Sequence, residues 1–132
     1  MRDLATRFTA LADPTRLQML ALLLRRGELC VCDFVETLGI TQSKASRHLR
    51  HLWTVGLLED RRAGLWVYYR IAPNLDAERK ALVSALTRLF EGRDLGALEQ
   101  RLNRWLKRKG GTVPTCKATP KTRARAAVEA RR

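Results

Sequence analysis

Apolar residues recur every three or four positions through the first half of the chain, the spacing of helices that bury one face. Leu4, Ala5, Phe8, Leu11 and Ala12 make a short first helix, and Asp13-Pro14 marks its end. Aspartate as N-cap with proline at the first helical position opens a second helix over residues 14 to about 25, with Leu17, Leu20, Leu23 and Leu24 as its core face and Gly27 as its stop. A third helix begins within residues 28 to 32 and runs to Leu38, burying some of Val31, Phe34, Val35 and Leu38. Gly39 ends it, and Thr41 caps the next. In that fourth helix, over residues 41 to 54, Ala45, Leu49 and Leu52 form one stripe, while Gln42, Ser43, Ser46, Arg47 and Arg50 lie opposite. A glycine turn between two such helices is the spacing of a helix-turn-helix whose second helix enters the major groove.

The period then changes. Residues 58–62, an Ala63-Gly64 turn and residues 65–71 read as a β-hairpin, rich in aromatic and β-branched residues. Directly after a recognition helix it reads as the wing of a winged helix, with Arg61 and Arg62 near its tip to meet phosphate or a minor groove. Two amphipathic helices follow, over residues 76–90 (Ala81, Leu82, Ala85, Leu86, Leu89, Phe90) and 94–107 (Leu95, Leu98, Leu102, Trp105, Leu106). Together they carry more apolar surface than a small winged helix needs, so part of it is expected to pair with a second subunit. The expected fold is mainly α with a small β-hairpin wing (α+β), a winged helix-turn-helix homodimer over residues 1–109. Residues 110–132 lack any periodic pattern and read as a flexible basic tail.

Charge adds a class of partner. The formal net charge is +13 and the pI about 11.0, suited to nucleic acid or an acidic membrane surface. The tail holds six Lys or Arg against Glu129, a net +5 that leaves +8 on residues 1 to 109, so the folded part is basic in its own right. No apolar run approaches the roughly 20 residues a membrane helix requires, and nothing at the N-terminus has the form of a signal peptide. Three cysteines without an export signal point to reduced thiols in the cytoplasm. No nucleophile, base and orienting group stand together in a recognisable motif, and no phosphate-binding glycine loop is present, so an enzyme is not expected.

For DNA contacts, Gln42 suits an adenine edge and Arg47 a guanine edge, Ser43 and Ser46 a base or phosphate, and Lys44 and Arg50 the backbone. His48 and His51 are three residues apart, with no cysteine or further histidine beside them, and suit packing or phosphate contact better than a metal. Cys30 and Cys32 are soft ligands that suit thiophilic ions. Nearby Glu28, Asp33 and Glu36 suggest a partly exposed helix start. On a regular helix, positions two apart differ by about 200°, so one ion could hold both thiols only if the first turn is irregular or unwinds. Binding would then distort the helix that packs against the recognition helix.

Residues 10–17 (ALADPTRL), 28–33 (ELCVCD), 43–52 (SKASRHLRHL) and 64–70 (GLWVYYR) together resemble the ArsR family of metalloregulatory winged-helix repressors, and the cysteine pair resembles its arsenic-responsive branch. The resemblance implies a homodimer that sits on double-stranded operator DNA and lets go when trivalent arsenic or antimony, as arsenite or antimonite, binds. Zinc-sensing relatives use histidines and carboxylates on the helix placed at residues 76–90, which here has no histidine. Many arsenic-responsive relatives carry a third cysteine three residues beyond the pair; Val35 stands there instead. Cys116 is the candidate third ligand, because the segment from Lys109 to Cys116 spans at most roughly 24 Å at about 3.4 Å per residue. A thiol redox sensor using the same pair, effectors such as copper(I), cadmium or lead, and a non-catalytic architectural role remain as alternatives.

Overall fold

The computed structural model describes residues 1–110. Six helices and three strands run in the order α1 (Arg2–Leu11), α2 (Pro14–Arg26), β1 (Glu28–Cys30), α3 (Val31–Leu38), α4 (Gln42–Thr54), β2 (Leu58–Ala63), β3 (Trp66–Ile71), α5 (Ala77–Glu91) and α6 (Gly96–Lys109). The six expected helices are present, and the hairpin stands directly after α4, so the winged helix-turn-helix is confirmed. The tail from residue 111 onward, Cys116 included, lies outside the described residues.

The capping chemistry acts where expected. The Asp13 side chain accepts from the Arg16 N–H at 2.9 Å, and Pro14 fills the first helical position. Thr41 Oγ1 accepts from the Lys44 N–H at 3.1 Å, and Gly39 ends α3 at φ +63, a left-handed conformation that glycine adopts without a Cβ penalty. Asp76 caps α5 in the same way.

Four expectations change. First, Glu28–Cys30 is a strand, antiparallel to β3, so the sheet has three strands in the order β1-β3-β2. Three residues are too few to show an alternating pattern, and their pairing with Tyr68, Tyr69 and Arg70 is supplied by a strand 40 residues away in sequence. Second, α3 therefore starts at Val31, and Cys30 is its extended N-cap (φ −79, ψ 156) rather than part of a helical turn. Third, the hairpin turns at Gly64-Leu65, one residue later than expected, with Gly64 at φ +59. Fourth, several residues on the apolar faces of α1 and α5 point outward: Phe8 is 55% exposed, Leu89 63%, and Ala81 and Ala85 are exposed too.

The sheet divides two cores. On one face Leu29, Val67 and Tyr69 join Met19, Leu20, Leu22, Leu23, Phe34, Leu49, Leu52 and Leu57 in the main core. On the other, Cys30, Cys32 and Trp105 form a second buried cluster with Trp66, Tyr68 and Leu106 packed against it. Helix α6 reaches both, through Leu98 and Leu102 in the main core and Trp105 in the second.

Candidate DNA-binding surface and thiol site

Helix α4 is seated by Ala45, Leu49 and Leu52, all fully buried. Ser43, Lys44 and Arg47 are exposed, while Gln42, Ser46 and Arg50 are half-buried on its flanks. Gln42 Nε2 and Ser46 Oγ have no hydrogen-bond partner. The helix is also aimed from outside itself. Arg16 donates to the carbonyls of Thr9 (3.1 Å) and Ala10 (2.6 Å), the last turn of α1, and its Nη1 lies 3.1 Å from His48 Nδ1. One side chain thus closes α1 and braces the recognition helix. Burial holds His48 below the ordinary imidazole range; Asp13 opposes that, and Arg16, Lys44 and Arg47 add to it. His51 is lowered too, mainly by burial. At the far end, Trp53 Nε1 donates to Asp60 at 3.0 Å and ties α4 to β2. His48 meets Arg16 between the helices, a contact that sequence reasoning, which assigned both histidines to packing or phosphate, did not see.

On the wing, Arg61 stands two pairs before the closing pair of Ala63 and Trp66. It lies opposite Tyr68, its guanidinium 4.7 Å from the ring centroid, and reaches across β3 to Glu28, with Nη2 to Oε1 at 2.5 Å. Arg62 is exposed, opposite Val67 and nearer the turn.

The two cysteines converge. The Cys32 thiol donates to Cys30 Sγ at 3.1 Å, and no unwinding is needed to bring the sulfurs together. The premise of opposed faces fails because Cys30 ends a strand: its side chain is set by the pleat of β1, that of Cys32 by the first turn of α3. The site is also more enclosed than its polar neighbours suggest, with Cys30 2% and Cys32 0% exposed. Asp33 is buried as well, accepting from the Cys30 N–H (2.7 Å), Trp105 Nε1 (2.8 Å) and Lys109 Nζ (2.9 Å). The contact with Cys32, then burial, pushes the pKa of the Cys30 thiol far up. Among the described residues no group of three or more His, Cys, Asp or Glu is placed to hold a metal ion. Two soft sulfur donors at one point fit a thiophilic centre and fit a hard cation poorly. Among the described residues, no helix is long and apolar enough to cross a membrane.

Comparison with known proteins agrees with this geometry. The model of the family described as "Bacterial regulatory protein, arsR family" matches residues 13–60, from the cap of α2 through the recognition helix into β2. The arsenic resistance transcriptional regulator ArsR1 of Pseudomonas putida is 47% identical over 92 residues, covering 64% of this chain and 72% of that protein. The homodimeric winged helix-turn-helix DNA-binding domain from Mycobacterium bovis superposes with a TM-score of 0.57 at 32% identity, over 70% of this chain and 82% of that one. The AntR antimony-specific transcriptional repressor superposes at 0.53 with 31% identity, over 67% of this chain and 77% of that one. The chain belongs to the arsR family of bacterial regulatory proteins, DNA-binding transcriptional regulators.

Proposed function

We propose that this chain is a homodimeric repressor that holds operator DNA and releases it when trivalent arsenic or antimony joins Cys30 to Cys32. The observation that carries this reading is the 3.1 Å approach of the two sulfurs at the β1–α3 junction. That junction is the first turn of the helix that leads, through Gly39 and Thr41, into α4. A change at the thiols therefore acts on a packed neighbour of the recognition helix, and a coupling of about 1 to 3 kcal/mol is enough to shift operator occupancy usefully.

The thiol hydrogens have to go somewhere when a ligand binds. A divalent cation must displace the thiol protons into solvent. Arsenous acid carries its own acceptors: each As–S bond that forms expels one As–OH as water, with the thiol hydrogen leaving on that hydroxide. The exchange is neutral at every step. Cys116, outside the described residues, is the thiol we propose for the third position.

On the DNA side, Arg47 and Gln42 are the proposed base readers, with Ser43, Ser46, Lys44 and Arg50 beside them and Arg62 as the wing contact. Arg61 must leave Glu28 to reach a phosphate. The second copy is proposed to cover α1 and α5. Arg7 of α1 pairs with Glu78 of α5, and the two helices expose Phe8 and Leu89. An apolar face of this kind is uncommon on a monomer surface without a partner.

Arsenic X-ray absorption on the purified protein, free of added thiol, tests the site. Three sulfurs in the native chain and two in Cys116→Ser are expected. An arsenic shell with no sulfur in the native chain would overturn the reading.

A further inference from the structure

Asp33 has no part in binding DNA and is not a soft ligand, yet it is 2% exposed and holds three hydrogen bonds. A buried carboxylate is costly unless every partner is in place. Its partners come from two directions. Oδ2 takes the Cys30 N–H, fixing the extended N-cap that turns Cys30 toward Cys32. Oδ1 takes the indole N–H of Trp105 and the ammonium of Lys109, both from the last turns of α6, 72 and 76 residues along the chain.

The same turns roof the thiols. Trp105 belongs to the buried cluster with Cys30 and Cys32, Leu106 packs against it, and Lys109 lies over the rings of Trp66 and Tyr68 at 5.9 and 5.8 Å. On its other side Trp105 lines an open cleft of about 570 Å³ with Glu36, Arg101, Arg104, Lys107 and Arg108. Trp105 thus stands between an open cleft and two sulfurs that have no exposure to speak of. Any ligand from solvent must pass a wall, and this wall is at the end of a helix. Leu98 and Leu102 are buried in the main core and seat the earlier turns of α6, whereas Leu106 of the last turn is only partly buried against both clusters, so this turn can lift while the rest stays seated.

We propose that Asp33 is the positioning residue of the thiol pair and that, through Trp105 and Lys109, it latches the last turn of α6 as a cover over Cys30 and Cys32, so that a thiophile reaches the sulfurs only when this turn lifts. The latch deepens the proposed function, and rests on it only for the identity of the ligand. Access to the thiols is a property of the protein alone and can be measured without arsenic.

The test is the rate at which iodoacetamide alkylates Cys30 and Cys32 in the full chain carrying Cys116→Ser. Lys109→Ala and Trp105→Phe each remove one bond to a charged acceptor and are expected to raise that rate about tenfold or more. Gln100→Ala, exposed on the same helix and outside the cleft, is expected to leave it unchanged. Leu86→Ala, which weakens the main core elsewhere, controls for general loosening. If the latch variants label no faster than Gln100→Ala, or only as fast as Leu86→Ala at matched urea midpoint, the cover is overturned. Faster labelling in the latch variants supports it even if arsenite fails to release DNA, an outcome that would sink the proposed effector alone.

Discussion

The guanidinium of Arg61 lies over the ring of Tyr68 and closes on the carboxylate of Glu28, spanning the whole width of the sheet from β2 to β1. This contact draws Glu28 below the usual carboxylate range, chiefly through the Arg61 hydrogen bond. Arg61 is exposed and Glu28 partly so, and solvent screening leaves the pair a small part in stability. Its consequence is for DNA. Each arginine has a partner within the protein, and Arg62 stands one pair nearer the turn than Arg61.

The two arginines are therefore expected to differ in salt dependence. In fluorescence anisotropy with operator duplex, Arg62→Ala should reduce the slope of log K against log salt by about 0.9, the loss of one phosphate contact. Arg61→Ala should change it by less. Equal reductions would show that Arg61 leaves Glu28 in the complex.

Arg47 is exposed on the open face of α4. Arg47→Ala should weaken operator binding by about 1 to 3 kcal/mol and relax the preference at one base pair, as a bidentate guanine contact would. A uniform loss on operator and random duplex alike would make it a phosphate contact.

The brace behind α4 predicts a pH dependence. Burial lowers the pKa of His48, and of His51 with it, relative to the unfolded chain. The unfolded chain then takes up protons first on acidification, so stability is full above the unfolded value near 6.5 and falls as the pH drops below it. Urea midpoints at decreasing pH should decline in the native protein, and His48→Gln with His51→Gln should flatten the part of the decline below neutral pH. A midpoint that rises on acidification through that range would reverse the sign and refute the assignment.

The exposed apolar face of α1 and α5 gives a prediction on assembly. Phe8→Glu with Leu89→Glu places carboxylates on a face that the second copy is proposed to cover, and should shift the sedimentation coefficient from dimer to monomer while leaving the helical circular dichroism unchanged. A dimer that survives both changes would place the interface elsewhere.

Much of this was legible in the chain because it is local. Asp13-Pro14, Gly39 and Thr41 mark helix ends through bonds made within three or four residues, and Ala45, Leu49 and Leu52 show their face by period alone. The thiol site was legible in its residues and not in its shape. Whether Cys30 and Cys32 meet depends on Glu28–Cys30 being a strand, and that depends on β3. The burial of Asp33 depends on Trp105 and Lys109, contacts no window of local sequence contains. The engagement of Arg61 was not legible for the same reason, since its partner lies two strands away. Phe8 and Leu89 show the opposite limit: an apolar period marks a face for burial, and one chain does not show what buries it.

Release of operator DNA by arsenite tests the central claim most directly. In a gel shift on the promoter beside its own gene, arsenite should dissociate the native protein, while Cys30→Ser and Cys32→Ser should bind the same duplex with native affinity and stay bound at every arsenite concentration. Release of the serine variants at the native arsenite concentration, or a native complex that arsenite leaves intact, would contradict the account.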